Sequence, residues 1–323
     1  MIRLPLALRS PAGERGRLSV LIFHRVLTEP DPMNPDEPDA GTFETVLSWL
    51  REWFNVLPLE SAVRKLYDGT LPARALSITF DDGYADNATV AAPILHRLGL
   101  PATFFISTGY IDSDQPCMWN DRVIEALRHA RRTTLDLQEL DLGSLPAATP
   151  AQRRAAIAAL LAGIKHLPQG ERDAAVDTIT TAAGVADMAL PRLMMNVDQL
   201  RGLRKLGMGV GAHTVSHPIL SRIDDSRAWQ EIEGGKKSLE QMLGEDVTLF
   251  AYPNGVPAKD YGPEHVRMVE ACGFVAAVST AWGAASSESQ RLQLPRFTPW
   301  DRTRLRFAAR MLGNYSRVEA VAA

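Results

Sequence analysis

Two aspartates in a row end an apolar run, Ala75-Leu76-Ser77-Ile78-Thr79-Phe80-Asp81-Asp82-Gly83. Adjacent carboxylates can accept protons or hold a cation. The run reads as a buried strand and Asp-Asp-Gly as the turn leaving its C-terminal end, where chemistry collects in sheets and barrels of alternating strands and helices. The pair alone also fits a plain turn or a helix cap. His213 and His217 form the second constellation. Gly209 and Gly211 precede them and Pro218 disfavours an α conformation at His217, so a helical HExxH-type site is excluded. The imidazoles belong at a strand end and the loop beyond, on the rim of Asp81 and Asp82 if the sheet is parallel. Two neutral imidazoles plus one carboxylate suit zinc or another first-row divalent ion and leave positions open for water and substrate. The alternative is a locally bonded His213 and a surface His217. It is weakened by the coincidence of both sets at corresponding points of one α/β pattern.

Thr79-Phe80-Asp81-Asp82-Gly83 followed by His213-Thr214-Val215-Ser216-His217-Pro218 resembles the first two motifs of the polysaccharide deacetylases, carbohydrate esterase family 4. The resemblance covers about 18 to 110 and 197 to 300. It implies an α/β fold, a distorted (β/α) barrel of the polysaccharide deacetylase type, with a divalent metal that hydrolyses an N-acetyl group from an amino sugar. Carried over by residue, it makes Asp81 the general base and Asp82, His213 and His217 the metal ligands. The division is physically sensible, because coordination keeps Asp82 ionised while Asp81 accepts a proton only as water releases one. Phe250-Ala251-Tyr252-Pro253-Asn254-Gly255 resembles the third motif, in which the backbone N–H of Asn254 would hold the tetrahedral oxyanion.

The chain departs from the family pattern twice. Ala251 stands where many members carry an arginine that orients the base; Arg296, in Leu294-Pro295-Arg296, is a candidate substitute, with a surface ion pair as its alternative. The late leucine-and-histidine motif that supplies the acid is missing, since no histidine follows His265. Members involved in exopolysaccharide export and modification carry an aromatic-histidine motif at the first strand instead. Phe23-His24-Arg25-Val26 is similar to that permuted pattern, which implies His24 as the general acid.

Strands must end at these residues to position them. Apolar runs at 18–23, 75–80, 101–107, 208–212, 247–251 and 274–279 read as strands. Helical spacing fills 43–54, with Thr42 as its N-cap, and 61–67, 87–98, 197–206, 225–243, 264–272 and 302–312. Such alternation argues for parallel pairing in an α/β fold. The proline- and acid-rich 28–40 must be a surface loop. Alanine-rich helical pattern dominates 112–196 and no strand is expected there, so 1–323 reads as a single deacetylase domain with a helical insertion at 112–196. Trp119, opening its first helix, suits either a core position or a sugar-stacking wall.

At 323 residues and 46% hydrophobic content the chain can fill a sizeable core, and 35 basic against 38 acidic residues give no electrostatic case for nucleic acid. Cys117 and Cys272 lie too far apart for a zinc knuckle and read as reduced thiols. No run reaches the roughly 18 apolar residues of a membrane span, and the charged stretch after Leu8 makes a poor signal peptide, so a cytoplasmic protein is expected. The expected activity is metal-dependent removal of N-acetyl groups, with zinc the leading ion, from amino sugars of a bacterial exopolysaccharide or its precursor. A deformylase or O-deacetylase acting on a lipid-linked or nucleotide sugar is the alternative within the class, and a non-catalytic carbohydrate-binding relic the alternative outside it.

Overall fold

The structure, a computed structural model, describes residues 2–298, 301–317 and 320–322. Its strands are β1 (Leu18–Phe23), β2 (Asn55–Val56), β3 (Ala75–Phe80), β4 (Thr103–Ile106), β5 (Thr134–Leu137), β6 (Gly143–Pro146), β7 (Gly209–Ala212), β8 (Leu249–Ala251) and β9 (Ala276–Val278). Its α-helices are α1 (Arg3–Arg9), α2 (Ala40–Trp53), α3 (Leu59–Tyr67), α4 (Ala92–Leu98), α5 (Trp119–Arg128), α6 (Pro150–Ile164), α7 (Gln169–Ala183), α8 (Val197–Lys205), α9 (Asp225–Leu243), α10 (Pro263–Ala271) and α11 (Arg304–Asn314). None of the described helices is long and apolar enough to cross a membrane. The chain divides into two compact units, one of Met1–Glu29, Asp36–Asp112 and Met195–Ala323, the other of Pro30–Pro35 and Ser113–Met194.

In the first unit the strands pair in parallel in the order β1-β3-β4-β7-β8-β9, with β2 beside the start of β3. Beyond β9, Leu294 makes a parallel bridge to Val278 of β9 and Phe297 another to Leu21 of β1. One short stretch thus joins both outer strands and draws the sheet into the expected distorted (β/α) barrel. Register then decides what lies on the rim. Phe23 pairs with Phe80, Phe80 with Phe104, Ile106 with Ala212 and Ala212 with Phe250. Parallel strands all end on one edge, so the residues that follow them fall side by side. Asp81 N donates to Phe23 O at 3.0 Å, Ser107 N to Asp82 O at 3.2 Å and His213 N to Ile106 O at 3.0 Å. Phe80 stacks on Phe104 and Phe23, with ring centroids 4.7 and 5.4 Å apart, which turns Thr79 and Asp81 to the opposite face.

The second unit has its own core, centred on Val123, Leu127, Leu135, Leu160, Val176 and Ile179. The absence of strands expected across this region is wrong: β5 and β6 form an antiparallel hairpin. Only Leu135 and Leu137 of β5 point inward, too short an alternation to stand out among alanine-rich helices. Trp119 is half-buried, packing against the edge of this core with the Arg172 guanidinium 5.0 Å from its ring centroid, closer to the core position than to an open wall. Local chemistry also moves the cap of α2. Asp39, and not Thr42, is the N-cap, its carboxylate accepting from Gly41 N and Thr42 N at 2.9 and 3.0 Å. The helix expected over 87–98 opens with a π turn, Asn87–Ala91, ahead of α4, where Pro93 removes a backbone donor from the ladder.

Candidate active site

Asp82, His213 and His217 each offer a ligand atom, and these atoms lie within 4.8 Å of one another. Asp82 Oδ1 is 3.5 Å from His213 Nε2 and 3.4 Å from His217 Nε2. It is a buried carboxylate oxygen with no hydrogen-bond partner. Two atoms each bonded to one tetrahedral zinc at about 2.0–2.1 Å would stand about 3.3–3.4 Å apart, so the spacing fits a shared cation better than direct hydrogen bonds. His213 Nδ1–H donates to the carbonyl of Ala251 at 2.7 Å, which fixes the tautomer and leaves the Nε2 lone pair facing Asp82. Burial opposes a charge on Asp82, but His217 and then His213 outweigh it and hold the carboxyl well below its usual range. Burial takes His217 down to about 4, with Asp82 opposing and His213 adding to the fall. An ionised carboxylate beside a neutral imidazole is the protonation state a divalent ion requires.

Asp81 faces a different partner. Arg296 Nη1 and Nη2 donate to its two oxygens, each at 2.7 Å, while Arg296 Nε donates to Ser279 O at 3.0 Å and Nη1 also to Thr79 Oγ1 at 3.1 Å. Arg296 is fully buried. Its place follows from the barrel closure, since it lies between the two bridging residues Leu294 and Phe297. Burial would raise the Asp81 pKa, yet Arg296 and then His213 outweigh it and hold the carboxyl below its ordinary range. The surface ion pair considered for Arg296 is excluded. Burial also lowers His213, and Asp81 and Asp82 together more than reverse that.

His24 leaves the end of β1 next to Asp81, and its charge acts on Asp81, Asp82 and His217 alike. The turn that carries it is pinned. Asn87 Nδ2 donates to His24 O at 2.8 Å, Arg25 Nε to Asp86 Oδ2 at 2.8 Å, and the Arg25 guanidinium lies 4.7 Å from the Tyr84 ring centroid. Asn254 follows β8, three residues after the carbonyl that holds His213. Its own carbonyl accepts from Thr280 Oγ1 at 2.7 Å.

The chain matches the polysaccharide deacetylase family over residues 68–142 and 167–277. It belongs to that family. It is 20% identical to the Bacillus subtilis protein YxkH over 282 residues, which span 87% of this chain and 70% of YxkH. Among solved structures it resembles the Streptococcus pyogenes deacetylase PplD in complex with acetate, with a TM-score of 0.57 at 18% identity over 87% of this chain and 92% of PplD. It also resembles IcaB from Ammonifex degensii, with a TM-score of 0.57 at 16% identity over 94% of this chain and 97% of IcaB.

The chain holds its histidine loop with residues that the motifs do not contain. Glu231 of α9, fully buried, accepts from Val215 N at 2.9 Å, Ser216 N at 2.7 Å and Ser216 Oγ at 2.7 Å. A methyl group at Gly235, one turn on, would lie 2.9 Å from the Thr214 backbone, and one at Gly109 2.8 Å from Val215 O. Both glycines are required by this close approach. The loop is strained. Of the eight non-glycine residues with positive φ among those described, four are Asp82, Thr214, His217 and Asn254, at 77°, 66°, 57° and 58°. A readable trace of Glu231 existed: it falls on the inward face of α9 with Ala228, Ile232, Gly235 and Leu239. Glu231→Ala, which alters no donor atom of the cluster, should lower metal affinity by about 10–100-fold in a competition titration with a chromogenic chelator. Wild-type affinity would show that the loop keeps its shape without this carboxylate.

Proposed function

We propose that the chain is a metal-dependent hydrolase that removes N-acetyl groups from amino sugars of a bacterial exopolysaccharide or its precursor. The observation that carries this reading is the pair of neighbouring but separate carboxylates, Asp82 turned to two imidazoles and Asp81 to Arg296. Asp82, His213 and His217 would hold the ion, zinc by its donor set, whose chemistry when bound is to acidify water and polarise an acyl oxygen.

Asp81 would take the proton of the attacking water. Arg296 keeps it ionised and fixes its plane, and its Oδ2, 3.8 Å from His213 Nε2, faces the cluster. Asn254, in left-handed backbone, would offer its N–H to the developing oxyanion. His24 would pass a proton to the departing amine, without which the C–N bond does not break. The alanine at 251 argues only weakly for the binding-relic alternative, and the pairing of Arg296 with Asp81 argues against it. An acetyl group agrees with the acetate bound in the complex of PplD. The resemblance of Phe23-His24-Arg25-Val26 to the permuted motif supports an exopolysaccharide substrate.

The test is acetate release from a panel of N-acetylated and O-acetylated oligosaccharides, lipid-linked sugars and nucleotide sugars. Release from N-acetyl substrates, abolished by chelation and restored by zinc, is expected. Full activity in metal-free protein, or release from O-acetyl substrates alone, would overturn the proposal.

A further inference from the structure

The three most exposed large apolar side chains among the described residues are Leu4, Leu8 and Leu305, at 70%, 75% and 82%. They stand on α1 and α11, two helices that pack against each other, with Arg9 Nη1 donating to Ser316 Oγ at 2.5 Å beside their contact. The inner faces of both helices are accounted for, because Leu6, Phe307 and Met311 are fully buried in one core. The outer faces are not. Leu4 and Leu8 are one helical turn apart, and Leu305 shares its face of α11 with Ala309 and the half-buried Leu312, so each helix shows an apolar row outward.

Charge selects what could cover these rows. The two helices contain Arg3, Arg9, Arg304, Arg306 and Arg310 and no acidic residue, in a chain whose acidic residues outnumber its basic ones. Arg304 pairs with Glu52 and Arg310 with Asp301, but Arg3, Arg9 and Arg306 are exposed and form no ion pair among the described residues. The half-buried Arg74 is held below its ordinary pKa by desolvation and then by the charge of Arg3, a sign of how cationic this surface is. Two copies meeting on this face would set arginine against arginine, which disfavours self-association. Leucines flanked by unpaired guanidiniums suit a surface that is apolar within and anionic at its edge.

We propose that the outward faces of α1 and α11 dock on an anionic lipid bilayer, Leu4, Leu8 and Leu305 entering the headgroup boundary and Arg3, Arg9 and Arg306 meeting lipid phosphates. The docking is independent of the reaction at the metal cluster. The test is co-sedimentation of the full chain with vesicles of phosphatidylglycerol and phosphatidylcholine, against phosphatidylcholine alone. Binding is expected to need the anionic lipid, to weaken with salt, and to fall by at least about tenfold in Leu4→Ser/Leu8→Ser/Leu305→Ser and in Arg3→Glu/Arg306→Glu. These residues are exposed, so thermal melts should match wild type; if one variant fails to fold, the other decides. No binding to anionic vesicles, binding unchanged in a folded variant, or a dimer in solution that the leucine variant abolishes would each overturn the proposal, the last assigning the surface to a second copy.

Discussion

Arg296→Met is expected to cost about 3–5 kcal/mol of stability, read as a lower urea midpoint at unchanged slope. The side chain is fully buried and spends its donors on Ser279 O, Thr79 Oγ1 and both oxygens of Asp81. Methionine fills much of the volume and supplies none of these, so it leaves a buried carboxylate with no cation against it. If that uncompensated charge is the main loss, adding Asp81→Asn to Arg296→Met should restore part of the stability, although Asp81→Asn alone destabilises. Simple addition of the two costs would show that the pair is not coupled.

That pairing also marks the limit of what the amino-acid sequence alone encodes legibly. Asp81 and His213 were legible because each directly follows a strand whose apolar run is local, with Asp82 next to the one and His217 in the loop after the other, and parallel register does the rest. Arg296 was legible only as a candidate: it meets Asp81 across 215 residues of sequence, and the meeting depends on how Leu294 and Phe297 bridge the outer strands. His24 and Arg296 also lie outside the spans matched to the family, so geometry is what brings Arg296 to the site and sets His24 beside it. Glu231 was passed over because a glutamate on a helix usually reads as solvated. The three bonds it accepts from Val215 and Ser216 exist only once that loop is folded against α9. The left-handed backbone at Thr214 has no signature in its residue type, and that at Asp82 and His217 only a weak one, since Asp and His adopt it more often than most residues yet still rarely. The hairpin β5–β6 was missed because four-residue strands carry little period.

The second large effect concerns proton transfer. Asp81 is ionised and Arg296 holds its plane, so the proposed base is ready before substrate arrives. Asn at 81 keeps nearly the same shape and can still accept from Arg296, but it cannot take a proton. Turnover should fall by about 10²–10⁴-fold. His24→Ala, which removes the proposed acid on the neighbouring strand end, should cost on the order of 100-fold or more, with metal content unchanged. An unimpaired His24→Ala protein would refute the permuted assignment of the acid.

The claim that two adjacent, chemically identical carboxylates hold different posts is tested most directly by setting Asp81→Asn beside Asp82→Asn and measuring bound metal and acetate release in each. Asp81→Asn should keep the wild-type metal content and lose turnover, while Asp82→Asn should lose both. Wild-type turnover in Asp81→Asn, or wild-type metal content in Asp82→Asn, would contradict the account.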